Sequence, residues 1–246
     1  MSKFEQQIKK YPVEAITGEK VARLENREGV ARALTRGGKA YRGRTVIVAS
    51  GKRSRQLNIP GESEYAGRGV SYCATCDGPV FKGQPVLVAG GGNSALQAAL
   101  ELAEICPSVQ LVSLTKLTGD EILRSKVEAD GRISKHLLWQ PVEIRGNSKE
   151  VQSVIIASVE GDERRELAVS GVFIEAGLYP NSSFVVDLLQ LNSNGEIVVD
   201  CEGRTGVKGV FAAGDVTQVR DKQIVVAAGE GAKAALSAHD YLLSGR

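Results

Sequence analysis

Residues 69–103 read GVSYCATCDGPVFKGQPVLVAGGGNSALQAALELA, and two devices in this stretch decide the fold. An apolar run, Val86 to Ala89, breaks into Gly90-Gly91-Gly92-Asn93-Ser94-Ala95. Beyond it, Leu96, Ala99, Leu100 and Ala103 recur at the i, i+3, i+4 and i+7 positions of one helix face. Strand, glycine turn and helix in that order fit a dinucleotide turn, the alternative being a turn that holds no ligand. Gly90 permits the tight bend, Gly92 lets backbone approach a pyrophosphate, and the small Ala95 lets helix pack closely on strand. The helix N-terminus, entered through Asn93 and Ser94, then faces the phosphates.

Just ahead of this turn stand Cys73 and Cys76, followed at once by Asp77 and Gly78. As a staple the pair is poor: closing so short a loop stabilises by about 2 kcal/mol, against about 3 kcal/mol for a loop of roughly 15 residues. Redox chemistry explains the spacing better, because one thiol of such a pair has a depressed pKa and serves as attacking or leaving thiolate. Asp77 either moves a proton during exchange or caps the turn at Asp77-Gly78. Zinc needs further ligands at paired spacing, and His136 and His239 offer none, so no metal site is expected. Cys106 and Cys201 read as buried small apolar residues.

Outward from this stretch, Ser2–Lys10 reads as a short helix stopped by Pro12. β-leaning runs follow at Val13–Thr17, Lys20–Asn26 and Val30–Arg36, and a Gly37-Gly38 turn leads into Lys39–Arg42. Val46-Ile47-Val48 is apolar without alternation, as in a parallel strand covered on both faces, and it ends in the small residues Ser50 and Gly51, where a ligand can approach backbone. Val109–Val112 and Val172–Ala176 are further buried strands, the latter ending at Gly177. Asp120 marks a helix start, and Leu137–Ile144 with Val151–Val159 form a β-ribbon. Val210–Ala213 is again a buried strand, ending at Gly214-Asp215. Asp215 either meets a ribose or polyol hydroxyl or caps a turn. Gln223 and Ile224 open a long closing helix whose positive end suits an anionic ring. The glycine-rich stretches Ala66–Gly69 and Gly203–Gly206 read as two joints around a middle domain.

The 246 residues give room for one large domain or two modest ones. A net charge of +2 makes no electrostatic case for nucleic acid or a membrane surface. No apolar run approaches the roughly 18 residues of a membrane span, and the opening MSKFEQQIKKYP lacks an apolar signal core, so a cytoplasmic protein is expected.

Cys73-Ala74-Thr75-Cys76-Asp77-Gly78, the Gly90–Ala95 turn, the run Gly209–Asp215 and Gln223 together resemble the small flavin-dependent thioredoxin reductases. The flavoprotein of bacterial alkyl hydroperoxide reductase is similarly close, through Tyr72-Cys73, Asp77-Gly78-Pro79 and Gly229–Ala234. The resemblance implies an α/β fold with two doubly wound nucleotide-binding domains. The outer one, residues 1–66 and 204–246, would be split and N-terminally incomplete and would bind FAD through Ser50, Gly51, Gly214, Asp215, Gln223 and Ile224. The inserted one, residues 67–203, would carry the cysteines and bind NADPH or NADH at the glycine turn and Gly177. Electrons would pass from nicotinamide to flavin to the disulfide. Cys76 would face the flavin, Cys73 would attack the disulfide of a thioredoxin-like or peroxiredoxin-type partner, and Asp77 would be the acid/base. A homodimer is implied as well.

Two departures qualify the resemblance. Ser113-Leu114-Thr115-Lys116 offers neither an acid for a ribose 2′-hydroxyl nor an arginine for a 2′-phosphate, which leaves NADPH and NADH both open; Lys116 and Arg124 either reach a phosphate or are solvated surface charges, the second reading being slightly favoured. The family also opens with a strand and glycine turn for the FAD pyrophosphate, and no Gly-x-Gly-x-x-Gly stands ahead of Val46. A truncated nucleotide-binding remnant without turnover is therefore the rival from another class, beside the alkyl hydroperoxide reductase type.

Overall fold

The computed structural model describes residues 2–27 and 29–244. In chain order the elements are α1 (Ser2–Ile8), β1 (Val21–Arg27), β2 (Val30–Thr35), β3 (Ala40–Gly43), β4 (Val46–Val48), β5 (Lys52–Ser54), β6 (Val70–Ser71), α2 (Ala74–Asp77), β7 (Val86–Ala89) and α3 (Asn93–Ala103). There follow β8 (Val109–Ser113), α4 (Glu121–Ala129), β9 (Ile133–Leu137), β10 (Trp139–Gly146), β11 (Val151–Ser158), β12 (Arg164–Ala168), β13 (Gly171–Ile174), β14 (Leu178–Pro180), β15 (Val210–Ala212) and α5 (Ile224–Ser244). They form two compact units: Met1–Arg53 with Pro180–Arg246, and Ser54–Tyr179 inserted between them in sequence.

The inserted unit is built on a five-stranded parallel sheet in the order β6-β13-β7-β8-β9. Both of its faces are covered. Val86 and Val88 of β7 turn to a core with Leu96, Ala99 and Leu102 of α3 and Val127 of α4. Leu87 and Ala89 turn the other way, to a core with Ile144, Val154 and Ile156 of the antiparallel ribbon β10-β11-β12. That two-sided burial is why β7 reads as an unbroken apolar run. Leu96 and Leu102 are almost wholly buried, each worth about 1.5–3 kcal/mol of transfer from water. From β7 the chain winds outward through β8 to β9, then returns on β7's other side as β13. The winding reverses between β7 and β13, and in open α/β sheets ligands settle outside the strand ends at such a point.

In the outer unit β4 and β15 pair in parallel, with Val46 opposite Val210 and Val48 opposite Ala212. One core gathers Leu24, Val48, Ile197, Val210 and Ala212. A second packs Phe211 and Ala213 on Ala234 and Ala238 of α5. The antiparallel sheet β1-β2-β3 completes this unit.

Three sequence expectations are corrected. Val13–Thr17 is no strand: Val13 and Ile16 are exposed, and among the described residues no neighbouring strand supplies a ladder for this run. The chain passes between units within β5 and β14, at 53/54 and 179/180, not at the glycine-rich stretches. A side chain on Gly69 would press into Val151, and one on Gly203 would meet the Ala212 carbonyl and Ala234, so those glycines serve close packing inside their own units. Cys201 is exposed, because its turn lies at the surface, whereas Cys106 is buried as expected.

Candidate functional site

In the inserted unit the strand ends of β7, β8 and β13 open on a cavity of about 820 Å³. Gly90, Gly92, Ser94 and Gly177 line it, joined by Leu57 and Asn58 from the loop that begins the unit. The turn residues divide their work. Gly90 stands at φ +152°, and a side chain there would collide with the Glu175 carbonyl and come 2.9 Å from the Ala95 methyl. It is a packing glycine. Gly92 has φ −91°, ψ −174° and nothing nearer to an added methyl than Thr118 Oγ1 at 4.0 Å, so its lack of a side chain keeps the cavity open. As the N-cap of α3 it contributes no side-chain cap, which leaves the helix's first N–H groups to a ligand. Ala95 is fully buried under the turn. Asn93 turns aside: its Oδ1 accepts from the Asp120 N–H at 2.7 Å and its Nδ2 donates to Asp120 Oδ2 at 3.1 Å, tying α3 to the start of α4. Lys116 and Arg124 are not among the residues that line the cavity.

Cys73 and Cys76 are joined as a disulfide, Cys73 half-buried and Cys76 exposed. Cys73 caps α2: its Sγ accepts from the Cys76 N–H at 3.2 Å, a contact that favours charge on that sulfur once the bridge opens. The Asp77 side chain does not cap the following turn; its Oδ2 accepts from the Ser71 hydroxyl at 2.7 Å. Ser71 also accepts from the Cys73 N–H at 3.1 Å, so one buried hydroxyl orients both the cysteine loop and the acid.

Glu175, directly after β13, lies between turn and disulfide. It lines the cavity, its N–H donates to the Ala89 carbonyl at 2.9 Å, and its carboxylate draws on the Ser94 hydroxyl and on the N–H of Ala74 in the cysteine loop. Burial pushes its carboxyl up to about 7, helped by Glu101, against the pull of the Ala74 and Ser94 donors. Glu62, buried to 2 % exposure, fixes the cavity's loop wall. Tyr72 donates its hydroxyl to Glu62 at 2.8 Å, and burial, then this bond, push the phenol up to about 12. The sequence signal for Glu175 was a carboxylate within the otherwise apolar run Val172–Ala176. Glu62 and Ser71 carried none.

In the outer unit the paired strands β4 and β15 bring Ser50-Gly51 and Gly214-Asp215 to the same sheet end. Ser50 donates to the Asn181 carbonyl at 2.7 Å, and Gly51 and Gly214 both take positive φ, +65° and +72°. Asp215 sits within the turn Gly214–Val216 and does not cap it. The first turn of α5 packs here through Ala227, 3.3 Å from where a Gly214 side chain would begin, so Gln223 and Ile224 join the same corner. Two lysines next to these residues share one carboxylate: Lys52 bonds to Glu196 Oε1, and Lys222 reaches the same oxygen at 3.2 Å. Burial opposes the Glu196 anion, but bonds from Lys52, Asn192 and Lys222 outweigh it and hold the carboxyl at about 2. Burial, with Lys52, lowers the Lys222 ammonium. This cationic triad was not foreseen, since its members are distant in sequence.

Among the described residues no helix is long and apolar enough to cross a membrane. A family model described as pyridine nucleotide-disulphide oxidoreductase matches residues 2–231. The F subunit of alkyl hydroperoxide reductase from Pseudomonas putida is 41% identical over 243 residues, which take in 98% of this chain and 47% of that protein. Its counterpart in Escherichia coli (strain K12) is 38% identical over 240 residues, covering 96% and 46%. Among solved structures, thioredoxin reductase from Streptococcus pyogenes MGAS5005 superposes with a TM-score of 0.93 at 37% identity, over 99% of this chain and 79% of that one. Thioredoxin reductase from Giardia duodenalis gives 0.91 at 31% identity, over 98% and 80%. The chain spans about half the length of the curated relatives it matches. The resemblance read from the cysteine pair and the glycine turn is borne out, and so is the α/β class: the chain belongs to the pyridine nucleotide-disulphide oxidoreductase family.

Proposed function

We propose that this protein is a disulfide oxidoreductase that passes electrons from NADPH or NADH, by way of FAD, to Cys73–Cys76 and on to a thioredoxin-like or peroxiredoxin-type protein disulfide. The observation that carries the reading is that one compact unit holds both a disulfide and a cavity at the glycine turn, with Glu175 lining the cavity and bonded to the Ala74 N–H beside Cys73.

The residues present fit the nicotinamide cofactor, and those of the outer unit fit the part of FAD away from its pyrophosphate, for which no Gly-x-Gly-x-x-Gly stands ahead of Val46. For the nicotinamide cofactor, Gly90, Gly92, Ser94 and Gly177 line a cavity at a strand-end switch point with a helix N-terminus turned to it. For FAD, Ser50, Gly51, Gly214, Asp215, Gln223 and Ile224 gather at one corner, beside the Lys52–Glu196–Lys222 cluster. A bound flavin supplies a hydride acceptor that can release its electron pair to a disulfide. Two electrons and two protons convert Cys73–Cys76 to two thiols. The Cys73 thiolate, favoured by the Cys76 N–H, attacks the partner's disulfide and releases one partner thiol. Cys76 then attacks Cys73 Sγ, re-forms the bridge and releases the second partner thiol. Asp77, aligned by Ser71, takes and returns the proton.

A cytoplasmic setting, where partner thiols are kept reduced, suits this role, and a homodimer belongs to the same proposal. The test is anaerobic reconstitution with FAD, followed by NADH or NADPH. Bleaching of the visible flavin band together with two new alkylatable thiols at Cys73 and Cys76 is expected. A protein that retains no FAD, or whose flavin bleaches while the bridge stays closed, refutes the route. Adding thioredoxin or a peroxiredoxin to the reduced protein then separates the two classes of acceptor.

A further inference from the structure

Glu62 is a buried carboxylate held by three hydrogen-bond donors. Its Oε1 accepts from the Leu57 N–H at 3.0 Å and the Tyr72 hydroxyl at 2.8 Å, and its Oε2 accepts from the Asn58 N–H at 2.6 Å. Leu57 and Asn58 line the cavity. Asn58 holds a positive φ of +57°, rare for a residue with a side chain and tolerated best by asparagine. The clamp is specific to a carboxylate. Two backbone N–H groups face two different oxygens, and a glutamine in the same place would turn an NH₂ group towards one of these donors. Tyr72 adds a third bond to the carboxylate, which leaves Glu62 little rotational freedom.

We propose that Glu62 is a positioning residue for nucleotide binding: it holds the 57–58 backbone, with Asn58 in its left-handed conformation, so that this loop forms a standing wall of the dinucleotide site. Nothing in this role involves contact with the reacting atoms. The wall is built before the ligand arrives, so the ordering cost is met in folding and not in binding. Without the clamp, only the fraction of molecules that still hold the turn can bind, and apparent affinity falls by that fraction. This inference rests on the reading that the cavity takes a nicotinamide dinucleotide.

The test is titration of the full chain with NADH, followed by the fluorescence of the dihydronicotinamide. Glu62→Gln should weaken binding about tenfold to a hundredfold, the loss of one charge-assisted clamp bond expressed as a smaller competent fraction. Glycine takes positive φ without a clamp, so Asn58→Gly placed in the Glu62→Gln background should recover part of the affinity, which a general loss of stability would not allow. With Glu62 intact, Asn58→Ala should bind more weakly than Asn58→Gly, a comparison that stands even where Glu62→Gln fails to fold. Wild-type affinity in Glu62→Gln, or equal affinity in the alanine and glycine variants of Asn58, overturns the proposal. A wild-type chain that binds no NADH ends the dinucleotide reading and this inference with it.

Discussion

Alanine at Gly90 and alanine at Gly92 add the same methyl group two positions apart, and the structure assigns them opposite consequences. At Gly90 the backbone stands at φ +152°, where a non-glycine residue costs about 1–3 kcal/mol. The added carbon would also meet the Glu175 carbonyl and the Ala95 methyl, a backbone atom and the first turn of a helix, neither able to yield cheaply. Overpacking of that kind costs about 1–3 kcal/mol more. The sum, about 2–6 kcal/mol, is a large part of the roughly 5–15 kcal/mol that holds a domain folded, and should lower its melting temperature by about 8–23 °C. At Gly92 the dihedrals suit any residue and the nearest atom is 4.0 Å from the new carbon. Losing glycine at the N-cap costs about 0.5–1 kcal/mol, and the stiffer unfolded chain returns about 0.4–1 kcal/mol, so stability should hardly move. The methyl group instead enters the cavity where, on the proposed function, a pyrophosphate approaches backbone N–H groups. Losing one charge-assisted hydrogen bond there weakens nicotinamide cofactor binding about 10- to 100-fold. Thermal unfolding and NADH titration of both variants read the two effects separately. If Gly92→Ala binds as tightly as wild type, this turn does not hold the dinucleotide. If Gly90→Ala melts with wild type, the packing account of the turn is wrong.

Cys76→Ser should abolish reduction of a thioredoxin-like disulfide while leaving reconstituted flavin reducible by nicotinamide; loss of flavin reduction itself would contradict the role given to the cysteine pair. Glu175, raised from 4.5 to about 7, binds its proton more tightly folded than unfolded, so its contribution is full below about pH 4.5 and lost as pH rises through about 7. Discounted for its partial exposure this amounts to about 1–2 kcal/mol, and Glu175→Gln should flatten that limb of the stability–pH curve measured by urea unfolding. Glu196 has the opposite sign: held at about 2 against 4.5, its contribution is present above about pH 4.5 and lost as pH falls through about 2. Glu196→Gln, which leaves Lys52 and Lys222 facing each other, should cost about 3 kcal/mol at neutral pH, and an unchanged urea midpoint would show that the triad does not support the outer unit.

Local patterns carried most of the fold. The Val86–Ala89 run with its glycine turn and the spacing of Leu96, Ala99 and Ala103 were legible because strand and helix periods are short-range properties. β9 and β12 went unread, since Ile133–Leu137 and Arg164–Ala168 are polar and become strands only by pairing with β8 and β11. Val13–Thr17 erred in the opposite direction: β-leaning residues without a partner form no ladder. The unit boundaries were displaced for a related reason. Glycine marks backbone that must turn or be approached closely, and Gly69 and Gly203 are approached by Val151 and Ala234 within their units, so their clustering said nothing of where few contacts cross.

The site divides along the same line. Residues that act through backbone were readable, because a glycine at a strand end declares its purpose by having no side chain; Gly90, Gly92, Gly177, Gly51 and Gly214 all fall at such ends. Residues that act by holding other residues were not. A Pro60-Gly61-Glu62 loop reads as an ordinary polar turn until Tyr72 and two N–H groups converge on its carboxylate, and Lys52, Glu196 and Lys222 share no local pattern. Asn93 shows how such a position divides its groups: its side-chain amide is satisfied by Asp120, which leaves its backbone N–H as the group turned to the cavity end of the helix. A polar side chain next to a binding backbone is thus weak grounds for assigning it to the ligand, because the same position is where the turn itself must be anchored, and a side chain's hydrogen bonds decide between the two.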